Sequence, residues 1–189
     1  TGSASDADGD NLTYSWEQFD LADYSDLNHT AIGPLFRVFA PHKTGERTFP
    51  QLSDVLSGNQ TFGEKLPDQA REMNFRLVVR DGNGGLDDDA MVVTVANSDG
   101  FSVTTPTAQT EWNAARQTVS WNTAGTNSAP VSCSQVDILM STDGGTTFNQ
   151  TLASATANDG QETITVPVAS STSARVKLAC TDNVFFAVN

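Results

Sequence analysis

The fold of this chain is set by one stretch near its start, Asp6-Ala7-Asp8-Gly9-Asp10-Asn11-Leu12-Thr13-Tyr14-Ser15-Trp16. Within it, Leu12, Tyr14 and Trp16 occupy every second position, and polar residues stand between them. Apolar residues at a period of two are typical of a β-strand with one buried face. The stretch therefore predicts a strand that an acidic turn directly precedes.

The same period of two recurs along the 189 residues, and Gly-rich turns such as 81–85 and 143–145 separate the runs. Alternating apolar residues include Phe75, Leu77, Val79, Met91, Val93, Val119, Trp121, Val136, Ile138, Ile164, Val176 and Leu178. Short strands at regular spacing favour sandwiches over a parallel α/β sheet. We expect an all-β chain of two tandem antiparallel Ig-like or fibronectin-like β-sandwiches, residues 1–97 and 98–189, with the boundary at 96–100.

One long segment, residues 20–72, interrupts the alternation and is too long for an ordinary loop. Because it contains many Phe and Leu residues, we expect it to pack, either as a functional insertion or as a cover over a sheet edge. Ser53 is a candidate N-cap for a short helical turn within it. The first residues read as the end of a strand, so we expect the first edge strand of the opening domain to be missing from this sequence.

The net charge of −13 restricts the partners of the chain. Residues 1–97 carry 16 acids against 7 bases and residues 98–189 carry 7 against 3. Such a surface repels nucleic acid and anionic lipid, and no apolar run reaches the roughly 18 residues that a membrane span needs. We expect a monomer that neither binds nucleic acid nor inserts into a membrane.

Three groups of acidic residues stand where predicted strands begin or end. Asp6, Asp8 and Asp10 precede the first strand, Asp81 follows the strand around Leu77, and Asp87, Asp88 and Asp89 precede Met91. Loops at one end of an antiparallel sandwich can meet, and six or more carboxylate oxygens would then surround one ion. Hard oxygen ligands select Ca²⁺. We predict a calcium site formed by Asp6, Asp8, Asp10, Asp81, Asp87 and Asp88; a solvated acidic turn is the alternative.

Other metal sites and the common catalytic motifs receive little support. The first acidic group imitates an EF-hand loop, but Asn11 stands where that loop needs Gly and a strand follows it instead of a helix. The two histidines, His29 and His42, lack zinc-site spacing, and no G-x-S-x-G motif is present. Paired carboxylates for glycoside cleavage remain possible by residue type. We expect no enzymatic activity.

Both cysteines, Cys133 and Cys180, lie in the second half without C-x-x-C spacing, so we predict a structural disulfide and an oxidising compartment. Two buried free thiols are the alternative. Nearby, Ser141-Thr142-Asp143-Gly144-Gly145-Thr146-Thr147-Phe148 resembles the Asp-box hairpin, in which Ser and Asp side chains bond the turn backbone. A single copy indicates a well-formed turn.

An ordered set of motifs resembles known secreted modules. The stretch Ser5–Glu17 is similar to the opening of polycystic-kidney-disease-type and cadherin-like modules of bacterial proteins. With it, the whole set resembles the region C-terminal to the catalytic domain of bacterial reprolysin-like zinc metallopeptidases. The further motifs are Gly33–Arg37, Arg47–Leu56, Asn74–Asp81, Gln117–Trp121, Ala124–Val131, Ile138–Gly145, Ala174–Leu178 and Asn183–Phe186.

This resemblance implies an accessory region of a secreted bacterial metalloprotease, since the catalytic domain lies outside this sequence. Such a module would bind extracellular protein substrate or a cell-surface ligand, and the acidic motif would hold Ca²⁺ through Asp6, Asp8, Asp10 and Asp81. Two alternatives remain open: an adhesin-like stalk without a ligand, and a carbohydrate-binding module. For the latter Trp112 is the candidate platform, because alternation assigns Trp16 and Trp121 to the core.

Overall fold

A computed structural model describes residues 1–22, 33–112, 115–167 and 171–189. Within these ranges the regular structure is nearly all β and every strand pairing is antiparallel, which confirms the predicted fold class. The chain divides into two compact units, Thr1–Asn97 and Ser98–Asn189. No helix in the described ranges is long and apolar enough to cross a membrane.

The regular elements of the described ranges are ten strands and one short helix. In chain order they are β1 (Thr13–Gln18), α1 (Leu52–Ser57), β2 (Arg71–Arg80), β3 (Leu86–Val95), β4 (Ser102–Thr105), β5 (Arg116–Asn122), β6 (Gln135–Ser141), β7 (Gln150–Ala157), β8 (Gln161–Thr165), β9 (Arg175–Cys180) and β10 (Phe186–Val188).

The first unit contains a three-stranded sheet in the order β1-β2-β3. Its central strand β2 places Met73, Phe75, Leu77 and Val79 on one face, and all four are buried. The register between β1 and β2 places Trp16 opposite Leu77, so both side chains lie on that face. In the described residues of this unit the core is closed by one sheet and an irregular cover, without a second sheet.

The cover comes from the long segment that sequence analysis expects to pack. Leu35 and Phe36 are buried, and the rings of Phe36, Phe49 and Phe75 lie with centroids 4.7–6.2 Å apart. Packing is therefore confirmed for the described part of the segment; residues 23–32 lie outside the described ranges. The helical turn within it begins two residues earlier than predicted, with Gln51 and not Ser53 at the N-cap.

A buried ion pair holds the cover in place. Arg47 Nη2 donates to Glu64 Oε1 at 2.7 Å and to the Arg37 carbonyl at 2.6 Å, while Nη1 donates to the Trp16 carbonyl at 3.1 Å. The guanidinium lies between two aromatic rings, 4.6 Å from the Phe39 centroid and 4.4 Å from that of Phe49. A planar cation fits such a slot, so Arg47 joins the strand, the cover and its core.

Burial sets the protonation behaviour of this pair. The Glu64 side chain is 0% exposed and that of Arg47 is 10% exposed. Burial raises the pKa of Glu64 above its usual value, although the Gln51 N–H and Arg47 act in the opposite direction. Burial likewise lowers the pKa of Arg47. Desolvation therefore opposes the charged state of both partners, and their mutual bonding offsets it only in part.

The second unit is a two-layer sandwich. One sheet has the order β10-β9-β6-β7 and the other the order β4-β5-β8. Their facing sides form one core, in which Val119, Trp121 and Ile164 meet Val136, Ile138, Val176 and Leu178. The apolar residues that alternate with polar ones in this half of the sequence are thus the residues that form this core.

A disulfide and a buried amide complete the second core. The predicted Cys133–Cys180 disulfide is confirmed, with Cα atoms 6.1 Å apart. Beside it, the buried Asn158 side chain accepts a bond from Trp121 Nε1 at 2.8 Å and donates to the Cys133 carbonyl at 3.0 Å and to Thr126 Oγ1 at 3.1 Å. Trp112, the candidate platform of the carbohydrate-binding alternative, is partly buried and packs against this core.

Candidate metal centre

The loop before β1 is folded around the side chain of its first aspartate. Asp6 Oδ1 accepts hydrogen bonds from the backbone N–H groups of Asp8, at 2.9 Å, and Asp10, at 3.0 Å. Gly9 supports this turn with a φ of 80°, which residues with a side chain rarely adopt. The bonds use one oxygen of Asp6 and leave the other without a donor in the described residues.

The loop after β2 repeats this arrangement. Asp81 Oδ1 accepts from the backbone N–H groups of Asn83, at 2.7 Å, and Gly85, at 2.9 Å. A Cβ at Gly85 would overlap the second carboxylate oxygen of Asp81, so only glycine leaves that oxygen in place. The two loops are thus locally equivalent, with Asp6 matching Asp81 and Asp8 matching Asn83.

Strand pairing brings the two loops together. Thr13 at the start of β1 pairs with Arg80 at the end of β2, so the loop before one strand lies beside the loop after the other. One carboxylate oxygen from each of Asp6, Asp10 and Asp81 lies within 4.8 Å of the other two. Two oxygens bound to one Ca²⁺ are separated by at most roughly 4.6–5.2 Å, twice the Ca–O distance. The spacing therefore fits a single ion.

The charge of the cluster also suits a cation. The backbone N–H of Asp10, with smaller contributions from those of Asp8 and Gly9, lowers the pKa of Asp6, so this carboxyl is ionised at neutral pH. Asp6, Asp10 and Asp81 are partly buried, and a surface depression beside them is lined by Tyr14 and Lys43. No salt bridge in the described ranges neutralises the three acids, so their negative charge favours an added cation.

The other predicted ligands lie elsewhere. Asp8 is exposed and its side chain is outside the three-residue group. Asp87 and Asp88 belong to β3, opposite Val79 and Val78 of β2, and Asp89 follows them. Consecutive residues of a strand point to opposite faces, so Asp87 and Asp88 do not converge on one point. The structure thus brings together three of the six predicted ligands.

Asn83 belongs to this site, although sequence analysis does not include it. Its Nδ2 donates to Asp10 Oδ2 at 2.8 Å and so links the two loops. A signal was present in the sequence, because Asp81-Gly82-Asn83-Gly84 repeats the spacing of Asp6-Ala7-Asp8-Gly9. Asn83 occupies the position that Asp8 has in the first loop, and its amide is the group through which the second loop contacts the first.

The Asp-box turn of the second unit shows an aspartate of a different kind. Asp143 accepts from Ser141 Oγ at 2.6 Å, from the Thr147 N–H at 2.9 Å and from Thr147 Oγ1 at 2.7 Å. These bonds, first of all that from Ser141, hold the pKa of Asp143 far below its usual value. Both of its oxygens have donors within the turn, as the structural interpretation of this motif predicts.

Comparisons with known proteins do not extend these findings. No protein-family model, no curated protein and no solved structure matches this chain.

Proposed function

We propose that this chain is a non-catalytic, extracellular module whose first unit is stabilised by Ca²⁺ bound between Asp6, Asp10 and Asp81. One observation carries the proposal: oxygens of three carboxylates from two loops converge within 4.8 Å, and the hydrogen bonds of the described residues leave each acid with one oxygen that accepts none. Hard ligands in this number suit Ca²⁺, with water or backbone oxygens filling the remaining positions.

The role of such an ion is mechanical. It would join the loop that enters β1 to the loop that leaves β2, at the point where Thr13 pairs with Arg80. Ca²⁺ at 100 times its dissociation constant would add about 2.7 kcal/mol to the stability of the folded state. For a unit of this size, we expect the melting temperature to rise by about 10–20 °C.

The test is a calcium titration of the chelator-treated protein, followed by thermal unfolding. Asp81→Asn is the informative variant, because an amide oxygen still accepts from Asn83 and Gly85 while the charge is lost. Asp8→Asn is the matched control, since it removes the same charge from an exposed side chain beside the cluster. We expect Asp81→Asn to lose most of the calcium shift and Asp8→Asn to keep it. Equal responses of both variants, or no shift in the wild type, would contradict the site.

The wider biological role rests on the sequence motifs. Their order supports an accessory region of a secreted bacterial metalloprotease, which would hold the enzyme on extracellular protein substrate or at a cell surface. A sedimentation assay with insoluble collagen at physiological salt tests the binding part, with calcium and with chelator. Calcium-dependent retention is expected; loss of retention with an intact calcium shift would leave a spacer without a ligand.

A further inference from the structure

The loop that joins β2 to β3 contains a chemically reactive dipeptide. Asn83-Gly84 is the only Asn-Gly pair in the sequence, and both residues are exposed. In such a pair the backbone nitrogen of the glycine can attack the side-chain carbonyl carbon of the asparagine. Glycine favours this attack because it has no Cβ to hinder the approach and because its backbone bends freely.

The local geometry leaves the attacking nitrogen accessible. Gly84 lies outside the strands, with a φ of 110°, and Gly82 on the other side of Asn83 has a φ of 80°. Within the described residues the Gly84 N–H donates no hydrogen bond, whereas the N–H groups of Asn83 and Gly85 both bond Asp81. No hydrogen bond in the described residues therefore restrains the nitrogen that must react.

We propose that Asn83 is a site of spontaneous deamidation that changes the charge of the Asp6, Asp10 and Asp81 cluster. The Gly84 nitrogen forms a bond to Cγ of Asn83, the Cγ–Nδ2 bond breaks, and ammonia leaves with a proton from the Gly84 nitrogen. Water then opens the resulting cyclic imide. Attack at one carbonyl gives aspartate, and attack at the other gives isoaspartate, in which the main chain runs through the former side chain.

The reaction acts directly on the contact between the two loops. Asn83 Nδ2 donates to Asp10 Oδ2 at 2.8 Å, and the product has a carboxylate in place of this donor. Two carboxylates at this distance repel each other when no cation is present, whereas a bound cation attracts both. The aspartate product thus supplies a fourth acid to the cluster. The isoaspartate product lengthens the main chain between Asp81 and Gly85 and distorts the turn that positions Asp81.

The modification itself is tested by mass spectrometry of the purified chain after incubation in warm, mildly alkaline buffer. We expect replacement of an amide by an acid at Asn83, with both product isomers, before it is detected at Asn97 or Asn59, which are followed by Ser and Gln. The variant Asn83→Gln is the control, because its longer side chain forms the cyclic intermediate less readily. Conversion at Asn83 no faster than at the other two asparagines would overturn the proposal.

The consequence for the cluster is tested with Asn83→Asp, which reproduces the aspartate product. This second experiment rests on the proposed calcium site. We expect the variant to melt at a lower temperature than the wild type in chelator and to bind Ca²⁺ more tightly. Unchanged affinity in a variant that does bind would overturn the effect on charge. If neither protein binds Ca²⁺, the proposed function fails, while the mass measurement still decides the modification.

Discussion

The two units of this protein close their cores by different means. The second unit packs two sheets face to face and joins β9 to the segment before β6 through the Cys133–Cys180 disulfide. In its described residues, the first unit has one sheet and an irregular cover, which the Arg47–Glu64 pair fastens. An irregular segment cannot satisfy its backbone in a ladder, so charged and amide side chains must do so. We therefore expect the stability of the first unit to depend on its charged side chains, and that of the second unit to depend on its disulfide.

Removal of the disulfide is the largest expected effect and is confined to the second unit. The bond closes a loop with a sequence separation of 47. On the chain-entropy model, the double variant Cys133→Ser/Cys180→Ser loses about 4 kcal/mol of unfolding free energy. Denaturant unfolding followed by tryptophan fluorescence in a Trp16→Phe background, which leaves Trp112 and Trp121 of the second unit, measures this loss. The calcium-induced stabilisation of the first unit should stay unchanged. If the double variant also lost that stabilisation, the proposal that the two units are stabilised independently would be contradicted.

Loss of the buried ion pair is the corresponding change in the first unit. Glu64→Ala leaves the guanidinium of Arg47 without its charged partner beneath the cover, so we expect a loss of about 3 kcal/mol. Hydrogen exchange measures the result, as faster exchange in residues 33–66 with little change in the second unit.

A more exposed pair provides the matched control for that experiment. Arg76 and Glu17 also form a 2.7 Å ion pair, but their side chains are 42% and 23% exposed. Glu17→Ala should cost clearly less than Glu64→Ala, because water screens the interaction. Equal effects of Glu17→Ala and Glu64→Ala would show that burial of the charges is unimportant.

Acid titration gives the smallest expected effect and addresses the second unit. Hydrogen bonds, first of all from Ser141, depress the pKa of Asp143 in the folded state. Its contribution to stability is therefore present above the unfolded pKa, about 4, and is lost as the pH falls further. Asp143→Asn should reduce this loss below about pH 4. A pH series of melting temperatures for wild type and variant tests the expectation, and identical acid profiles would contradict it.

The sequence predicts the fold wherever one face of a strand is buried. Val136, Ile138, Val176 and Leu178 alternate with polar residues, and all four lie in the second core. The arrangement of residues 33–66 was not predictable, because its contacts depend on single long-range bonds such as that from Arg47 to Glu64. Periodicity contains no signal for such contacts.

The candidate site shows the same limit at closer range. Asp6, Asp10 and Asp81 were predicted together, because acids at the start of one strand and the end of its antiparallel neighbour must approach. The sequence groups Asp87 and Asp88 with them by placing both in a loop before a strand that begins at Met91. The first residue of β3 is Leu86, so these acids are in the strand and not in the loop. The difference of five residues between a strand start at Met91 and one at Leu86 thus decides which acids can meet.

The position of Arg47 limits which residues can replace it. Its flat head group reaches the carbonyls of Trp16 and Arg37 and the carboxylate of Glu64 at the same time, with a ring on each side. A lysine has the same charge but carries it on a compact ammonium group, which does not stack as a plane and does not present a rigid fork of donors. A change that substitution tables score as mild is thus severe at this position, and the charge of a residue alone is a poor guide to what the cover tolerates.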